Sequence, residues 1–358
     1  MRGRGPGRAG TAVPALAAPA VLVVLALLAA ACAGERPPPP EPAATPTASA
    51  LPEPEPTPAR TGADDGAAVT AERRVDGRTL DLTIDSPALG GPGKVRLLLP
   101  RGWAKDARRT WPVLWLLHGG FDDHTSWTAK TSVESITAKA GVIVVMPDGG
   151  RCGSYSNWWN HGRGGAPRWE TFHLDEVRQI LERGYRAGTG RAIAGYSMGG
   201  QGAMLYAARR PGMFRAAASF SGAVHILYDN PRGLDPSVVI AGGTSLACPG
   251  TDWKRIWGDP RDPEQRRIWA EHNPYDVAAG LRDVRLYVAA GTGRPERGGL
   301  PIGDAVEELA YGVAQEFVKR LYELDIPVKT HFYPGRHTHR YWERELRAAL
   351  PGMLEAMR

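Results

Sequence analysis

Hydrophobic residues between positions 68 and 358 follow two alternating patterns. Short, almost continuous apolar runs, such as 112–117 and 141–146, are typical of strands that are covered on both faces. Longer stretches with helical spacing separate them, most clearly at about 304–324. Because strands and helices alternate, we predict an α/β fold with a mostly parallel central sheet and helices on both faces.

Further elements complete this alternation. Residues 79–84 and 94–99 are predicted strands that flank a glycine-rich turn and form a hairpin-like opening. The remaining predicted strands cover 191–194, 216–221, 284–289 and 328–333, and two more predicted helices cover 132–140 and about 170–183.

The segment 227–273, here called the cap segment, interrupts the alternation and is predicted to be a small insertion or lid. It contains prolines and glycines together with Trp253, Trp257 and Trp269. Tryptophans at this position either line a substrate groove or pack the interior of a small helical cap. The sequence leaves both interpretations open.

Residues 1–31 have the pattern of an export signal. Three arginines precede an apolar run from 12 to 31, and small residues lead up to Cys32. Small residues before a cysteine are similar to the cleavage site of bacterial lipoproteins, which implies that Cys32 becomes a lipid-modified N-terminus. We therefore predict a protein anchored to the outer face of the cell membrane, with an uncleaved anchor and ordinary secretion as the alternatives.

Residues 32–67 are predicted to form a disordered, proline-rich tether. From 35 to 60 the chain has many prolines and no apolar periodicity that could build a core. Chains of this kind favour extended polyproline conformations of about 3.1 Å per residue. The folded domain is therefore predicted to cover residues 68–358.

Charge and cysteine content add two constraints. The formal net charge is +6 in 358 residues and the arginines are spread out, so nucleic acid is not a predicted partner. Apart from Cys32, the cysteines are Cys152 and Cys248. An exported location permits these two to form a disulfide, and two separate thiols are the alternative.

Residues 195–199 have the sequence Gly-Tyr-Ser-Met-Gly. They follow an apolar run and precede an alanine-rich helical stretch, which is the context of a nucleophile elbow. The glycines let the chain turn sharply from strand to helix, so that Ser197 is held exposed at the end of the strand. We predict Ser197 as a nucleophile, with the developing oxyanion near the N-terminus of the following helix.

A serine nucleophile needs a base, and the base needs an acid to orient it. His337 follows the last predicted strand, at the sheet edge where the elbow also lies. Asp304, Glu307 and Glu308 open the long helix that precedes this strand, so the chain order is serine, acid, histidine. Spacing alone does not choose among the three acids.

The other histidines fit the role of base less well. His339 lies two residues beyond His337, His331 lies within the last predicted strand, and the rest precede the elbow or flank the cap segment. No pair has metal-ligand spacing together with other donors. We therefore predict neither a metal nor a cofactor.

Four ordered motifs resemble those of a known family. They are Met-Pro-Asp-Gly-Gly at 146–150 with Tyr-Ser-Asn-Trp-Trp at 155–159, Trp-Glu-Thr-Phe at 169–172, the elbow, and Gly-Arg-His-Thr-His at 335–339 followed by Tyr-Trp. These motifs are similar to those of the esterase family that includes the antigen 85 mycolyltransferases. The resemblance covers most of 69–358 and implies an α/β-hydrolase fold with a Ser-Glu-His triad.

Transferred position by position, the resemblance implies that Ser197 is the nucleophile and His337 the base. The family's glutamate stands ten residues before a phenylalanine that corresponds to Phe317, which implies that Glu307 is the acid. Glu308 is the neighbouring alternative.

The resemblance also implies an oxyanion hole formed by the backbone N–H groups of Met198 and Gly120. Two regions differ from the mycolyltransferases: His118 and Phe121 replace an Asp and an Arg that handle the sugar, and His339 replaces a common tryptophan. We therefore expect a serine esterase or acyltransferase that acts on a small-molecule, lipid or glycolipid ester. Acyl transfer to a sugar acceptor in the cell envelope and a non-catalytic wall-associated protein are the alternatives.

Overall fold

A computed structural model describes residues 62–230, 235–294 and 304–358. The predicted export signal, the predicted lipidation site Cys32 and residues 32–61 of the predicted tether lie outside the described residues. No helix in the described parts of the chain is long and apolar enough to cross a membrane.

The described strands form one sheet with the order β1-β2-β3-β5-β4-β6-β7-β8-β9. Their bounds are β1 Ala68–Arg74, β2 Thr79–Ser86, β3 Gly91–Leu98, β4 Trp111–Leu117, β5 Ile143–Pro147, β6 Ala187–Tyr196, β7 Ala216–Phe220, β8 Arg285–Gly291 and β9 Val328–Tyr333. Strands β1, β2, β3 and β5 pair antiparallel, whereas β5, β4, β6, β7, β8 and β9 pair parallel. The predicted α/β-hydrolase fold with a mostly parallel sheet is confirmed.

Helices connect the parallel strands. Their bounds are α1 Ser126–Lys130, α2 Val133–Thr137, α3 Trp169–Thr171, α4 Arg178–Gly184, α5 Met198–Arg209, α6 Pro236–Ala247, α7 Lys254–Trp257, α8 Pro263–Glu271, α9 Ala305–Glu323 and α10 His339–Ala356. A π-helical segment, Phe172–Val177, joins α3 to α4, and a 3₁₀ turn covers Ala278–Leu281.

The sheet separates two hydrophobic cores. Successive residues of β6 point to opposite faces, so Ile193 belongs to one core and Ala192 to the other. Phe317 of α9 packs in the first core, and Leu346 of α10 packs in the second. Helices therefore cover both faces, and the parallel strands end together at the edge where the loops carrying the candidate residues meet.

Residues 62–67, assigned to the tether from sequence, lie against the folded body. Ala63 and Ala67 are buried, and the backbone N–H of Asp64 donates to the Gln179 side chain at 2.9 Å. Arg183 donates to the carbonyl of Gly62 at 2.8 Å. Two small apolar side chains and these polar contacts hold residues 62–67 against the folded body.

The cap segment contains helices α6, α7 and α8, and its tryptophans pack inside the cap. Trp257 and Trp269 are almost fully buried, with their ring centroids 5.0 Å apart. They share a small core with Trp158 and Cys152. The sequence left open whether these tryptophans line a substrate groove or pack the interior of a small cap, and in the structure they pack the cap.

A disulfide joins Cys152, in the loop after β5, to Cys248, directly after α6. It fastens the cap segment to the loop beside the elbow. The two cysteines are 96 residues apart in sequence, so the bond removes much conformational freedom from the unfolded chain.

We expect that changing both Cys152 and Cys248 to alanine lowers the free energy of unfolding by about 2–4 kcal/mol, because the unfolded chain regains that freedom. Urea unfolding with and without dithiothreitol measures the effect. The reductant should destabilise the wild type by a similar amount and leave the double variant unchanged. Equal unfolding midpoints for all four conditions would contradict the expectation.

Candidate active site

Ser197 lies at the junction of β6 and α5 in a strained backbone conformation. Its φ is 52° and its ψ is −122°. A Cβ atom at Gly195 would lie 2.2 Å from the carbonyl oxygen of Gly199, and one at Gly199 would lie 2.4 Å from that of Leu117. Both glycines are therefore required by the turn, and the serine is presented at the carboxyl edge of the sheet.

His337 and Glu307 continue a line of hydrogen bonds from this serine. His337 follows β9, and its Nε2 is 2.9 Å from the Ser197 Oγ. Its Nδ1 is 2.6 Å from the Oε2 of Glu307, in the first turn of α9. The three side chains come from widely separated parts of the chain, and the ends of three parallel strands bring them together.

Glu307 is fully buried and its second oxygen is also occupied. Its Oε1 accepts hydrogen bonds from the Ser221 hydroxyl at 2.7 Å and from the backbone N–H of Gly291. Ser221 in turn accepts from the indole N–H of Trp342 at 3.0 Å. These contacts hold the carboxylate in one orientation, whereas the neighbouring Glu308 is exposed.

Asp304 links the acid and the base without contacting the serine. It caps α9, where its Oδ1 accepts from the backbone N–H of Glu307 at 3.0 Å. Its Oδ2 accepts from the backbone N–H of His337 at 2.8 Å. The sequence presented Asp304 as one of three candidate acids, and the structure gives it this bridging position.

The surroundings of His337 alter its basicity. Burial lowers the pKa of His337, but the hydrogen bond and charge of Glu307, together with the charge of Asp304, outweigh burial and raise the pKa above its ordinary value. The ring is therefore a stronger base than an isolated imidazole, and the carboxylate on Nδ1 favours the tautomer whose Nε2 can accept a proton.

The backbone amides of Met198 and Gly120, which are predicted to form an oxyanion hole, belong to residues that line one pocket with Ser197. Met198 opens α5 directly after Ser197. Gly120 follows Gly119, whose carbonyl oxygen is 2.8 Å from the Nδ1 of His118. His118 also accepts the backbone N–H of Gly149 at its Nε2, at 2.8 Å, so its Nδ1 carries the proton.

The contact to His118 fixes the direction of the Gly120 amide. The carbonyl of Gly119 and the N–H of Gly120 belong to one trans peptide and point in opposite directions.

Of the two adjacent glycines, packing requires Gly119, where a Cβ atom would lie 2.8 Å from the Tyr196 ring. At Gly120 the nearest atom to an added Cβ, the carbonyl oxygen of Arg151, is 3.8 Å away.

A pocket opens above Ser197 between the loop after β4 that contains Gly119 and Gly120, the loop after β5, and helix α6. One wall is apolar and includes Val239, Ile240 and Gly243 of α6. The other residues that line the pocket are Gly119, Gly120, Phe121, Asp122, Arg151, Cys152, Ser154, Tyr196, Met198, Gln201, Ala223, Thr244, His337 and Trp342.

His339, the second histidine of the loop, contacts a different acid. Its Nε2 is 3.4 Å from the Oδ2 of Asp122. Asp122 also accepts from the Tyr196 hydroxyl at 2.6 Å and pairs with Lys130. Burial raises the pKa of Asp122, but hydrogen bonds from His339, Lys130 and Tyr196 outweigh it and lower the pKa strongly, so this carboxylate is charged and fully paired.

Other buried histidines are held by structural hydrogen bonds. His173 lies 2.8 Å from the Tyr206 hydroxyl and 2.8 Å from the carbonyl oxygen of Asp148. Burial lowers the pKa of His173 to about 4, so the ring is neutral. Within the described residues, no group of three or more His, Cys, Asp or Glu side chains could hold a metal ion.

The chain matches a family profile described as "Putative esterase" over residues 86–353. It is 33% identical to Esterase Rv1288 of Mycobacterium tuberculosis over 287 residues, which are 77% of this chain and 59% of that relative. It is 29% identical to the Diacylglycerol acyltransferase/mycolyltransferase Ag85B of Mycobacterium leprae over 263 residues, which are 68% of this chain and 75% of that relative.

Solved structures share the architecture. The crystal structure of Mycobacterium tuberculosis MPT51 (FbpC1) superposes with a TM-score of 0.61 at 26% identity, over 76% of this chain and 96% of that chain. A ferulic acid esterase superposes with a TM-score of 0.58 at 22% identity, over 78% and 97%, and this likeness concerns the fold alone. The family resemblance drawn from the four motifs is confirmed, and the chain belongs to this esterase family.

Proposed function

We propose that the protein is a serine esterase or acyltransferase that works through an acyl-enzyme on Ser197. The observation that carries the proposal is the unbroken line of hydrogen bonds from Ser197 through His337 to the buried Glu307. A base within 2.9 Å of a serine hydroxyl, oriented by a carboxylate on its other nitrogen, is the arrangement that activates a serine nucleophile.

The proposed reaction has two halves. His337 Nε2 takes the proton from the Ser197 hydroxyl while Oγ forms a bond to the ester carbonyl carbon, and the amides of Met198 and Gly120 stabilise the oxyanion. The tetrahedral intermediate loses the alcohol, which takes the proton from His337, and the acyl group remains on Ser197. Water or a second alcohol then attacks the acyl-enzyme and gives its proton to His337. The second tetrahedral intermediate breaks its bond to Oγ, which takes the proton back from His337, and the acid or new ester leaves.

The raised pKa of His337 predicts the pH dependence of the reaction. The imidazole must be neutral to accept the serine proton, so kcat/KM should rise with pH to a plateau. Because Glu307 and Asp304 raise the pKa of this group, the midpoint should lie above the ordinary histidine value. A profile with 4-nitrophenyl butyrate, corrected for spontaneous hydrolysis, measures this; a midpoint at or below that value would contradict it.

Covalent labelling tests the proposal directly. A fluorophosphonate probe should react with the wild-type protein and leave its adduct on the peptide that contains Ser197, because the probe requires an activated serine. Preincubation with a short ester should slow the labelling. A protein that is not labelled, or a label on another residue, would overturn the proposal and favour a non-catalytic protein that kept the fold.

Acyl transfer to an alcohol is the second candidate function. It is supported by the likeness to a protein named as an acyltransferase and mycolyltransferase. The sugar-handling Asp and Arg expected from that group are replaced by His118 and Phe121, so we favour hydrolysis or a different acceptor. Product analysis with and without added glycerol or trehalose separates the candidates, since a transferase forms a new ester only when its acceptor is present.

We further propose that the protein acts outside the cytoplasm, attached to the outer face of the membrane through lipidated Cys32. The apolar run that ends at Cys32 and the proline-rich stretch after it support this. Metabolic labelling with an alkyne fatty acid tests the anchor. Label on the wild type and none on a Cys32→Ala variant would support it, whereas an unlabelled wild type would overturn the lipid anchor and leave an uncleaved anchor or ordinary secretion.

A further inference from the structure

A buried, unpaired amide lies in the wall of the pocket above Ser197. Gln201 is one helical turn beyond the serine, and its backbone N–H donates to the Ser197 carbonyl at 3.2 Å. Its side chain is 2% exposed, and its Nε2 has no hydrogen-bond partner among the described residues. Buried polar groups are nearly always hydrogen-bonded, so this unpaired donor at a pocket wall is available to an acceptor on a bound molecule.

Arg151 also lines this pocket and carries a positive charge. Its carbonyl oxygen accepts from the backbone N–H of Phe121 at 2.9 Å, and its Nε donates to the carbonyl of Ala247, the last residue of α6, at 3.3 Å. These two contacts fix the residue at both ends. Its terminal guanidinium nitrogens have no acidic or hydrogen-bonding partner in the part of the chain that the structure describes.

Ser154 adds a hydroxyl-bearing side chain to the lining of the same pocket. The residue is 5% exposed, and no described residue hydrogen-bonds to its side chain. Among the described residues of the lining, Asp122 is the only carboxylate, and it is already paired with Lys130 and Tyr196. Gln201, Ser154 and Arg151 can therefore each donate a hydrogen bond, and Arg151 also carries a positive charge.

We propose that Gln201, Ser154 and Arg151 form a subsite for an anionic oxygen group, a carboxylate or a phosphate, carried by the ester substrate. Planar amide and guanidinium donors match such groups, and a low-dielectric wall strengthens the contacts. The apolar wall of α6 remains for the hydrocarbon part of the same substrate. The subsite deepens the proposed esterase function and rests on it: the substrate class is an amphiphilic ester with a negative charge near the scissile bond.

The test compares neutral and anionic esters of similar size. In the first pair, neutral phenyl butyrate is compared with 3-carboxyphenyl butyrate, which carries its negative charge on the alcohol. In the second pair, neutral 4-nitrophenyl butyrate is compared with 4-nitrophenyl hemiglutarate, which carries its negative charge on the acyl chain. We expect the wild type to prefer one anionic ester over its neutral partner in kcat/KM. Arg151→Met should lower that anionic-to-neutral ratio about tenfold, mainly through KM, since a lost charge-assisted hydrogen bond is worth about that factor.

Two further variants test the subsite: one adds a carboxylate to it, and the other is a control outside the pocket. Gln201→Glu places a carboxylate in the subsite with little change of shape and should lower the same ratio by repulsion. Arg163→Met removes an exposed arginine of the same loop that does not line the pocket, and its ratio should equal that of the wild type. Melting temperatures show whether each variant is folded.

Each outcome decides the proposal. A wild type without preference for either anionic ester overturns the subsite, and so does an Arg151→Met variant that loses activity equally on charged and neutral esters. In both cases hydrolysis of the neutral esters shows that the proposed esterase function survives. A wild type that hydrolyses none of the four esters and resists the fluorophosphonate overturns the esterase function itself.

Discussion

Replacement of Ser197 by alanine is expected to reduce kcat for ester hydrolysis by roughly 10⁵-fold or more, the size of effect seen when the nucleophile of a serine triad is removed. The substitution deletes the atom that forms the acyl-enzyme and leaves His337 with no proton to accept. The backbone amides of Met198 and Gly120, the proposed oxyanion hole, remain, so a small residual rate above that of water should persist. Binding of substrate should change much less than kcat.

The measurement is a steady-state assay with 4-nitrophenyl butyrate together with fluorophosphonate labelling. The matched control is Ser135→Ala, an exposed serine on α2 whose hydroxyl donates to a neighbouring carbonyl far from the pocket. That variant should keep wild-type kcat. If Ser197→Ala, shown to be folded by circular dichroism, keeps more than about a tenth of wild-type kcat, another group is the nucleophile and the proposed function fails.

The sequence predicted the parallel part of the fold well because central strands carry a strong signal. Strands β4, β5, β7 and β8 are nearly continuous apolar runs, and such runs have few alternatives to a sheet covered on both faces. The edge strand β1 was not predicted, since its sequence is half exposed and ends in two arginines. Helix α10 was not predicted either: Pro351 lies inside it and interrupts the helical pattern in the sequence.

The sequence identified the site residues whose type the proposed chemistry requires: a serine, a histidine and an acid. Spacing and resemblance pointed to Ser197, His337 and Glu307, and the structure brings these side chains into one line of hydrogen bonds. Ser221 and Trp342, which hold the second oxygen of Glu307, were not assigned that position, because a serine at a strand end has no distinctive spacing. Contacts across 86 and 121 residues of chain arise only from the folded sheet.

Only the structure shows which of the adjacent glycines Gly119 and Gly120 is required by packing. The resemblance drew attention to Gly120, as a residue that lets an acyl oxygen approach its amide. The close packing is at Gly119 instead, which lies against Tyr196, while the space beside Gly120 is open. A pair of adjacent glycines in a sequence does not say which one packing requires, because that depends on the Tyr196 side chain, 77 positions after Gly119 in the chain.

Glu307→Gln is expected to lower kcat by about 10⁴-fold, the size of effect found when the acid of a serine triad becomes an amide or is removed. The side chain keeps its shape, but it can now present an N–H group to His337. The imidazole then favours the tautomer whose proton is on Nε2, and this nitrogen can no longer accept the proton of Ser197. The imidazolium that forms during the reaction also loses its buried counter-charge.

Glu308→Gln is the matched control, because Glu308 is the neighbouring acid, exposed on the same first turn of α9. Its kcat should stay within about twofold of the wild type, since a surface charge change is a small perturbation. The pH profile separates a loss of orientation from a loss of folding: Glu307→Gln should lower the midpoint of residual activity, because the group that most raises the pKa of His337 is gone. Equal losses in the two variants, or a larger loss in Glu308→Gln, would show that the acid assigned to His337 is wrong.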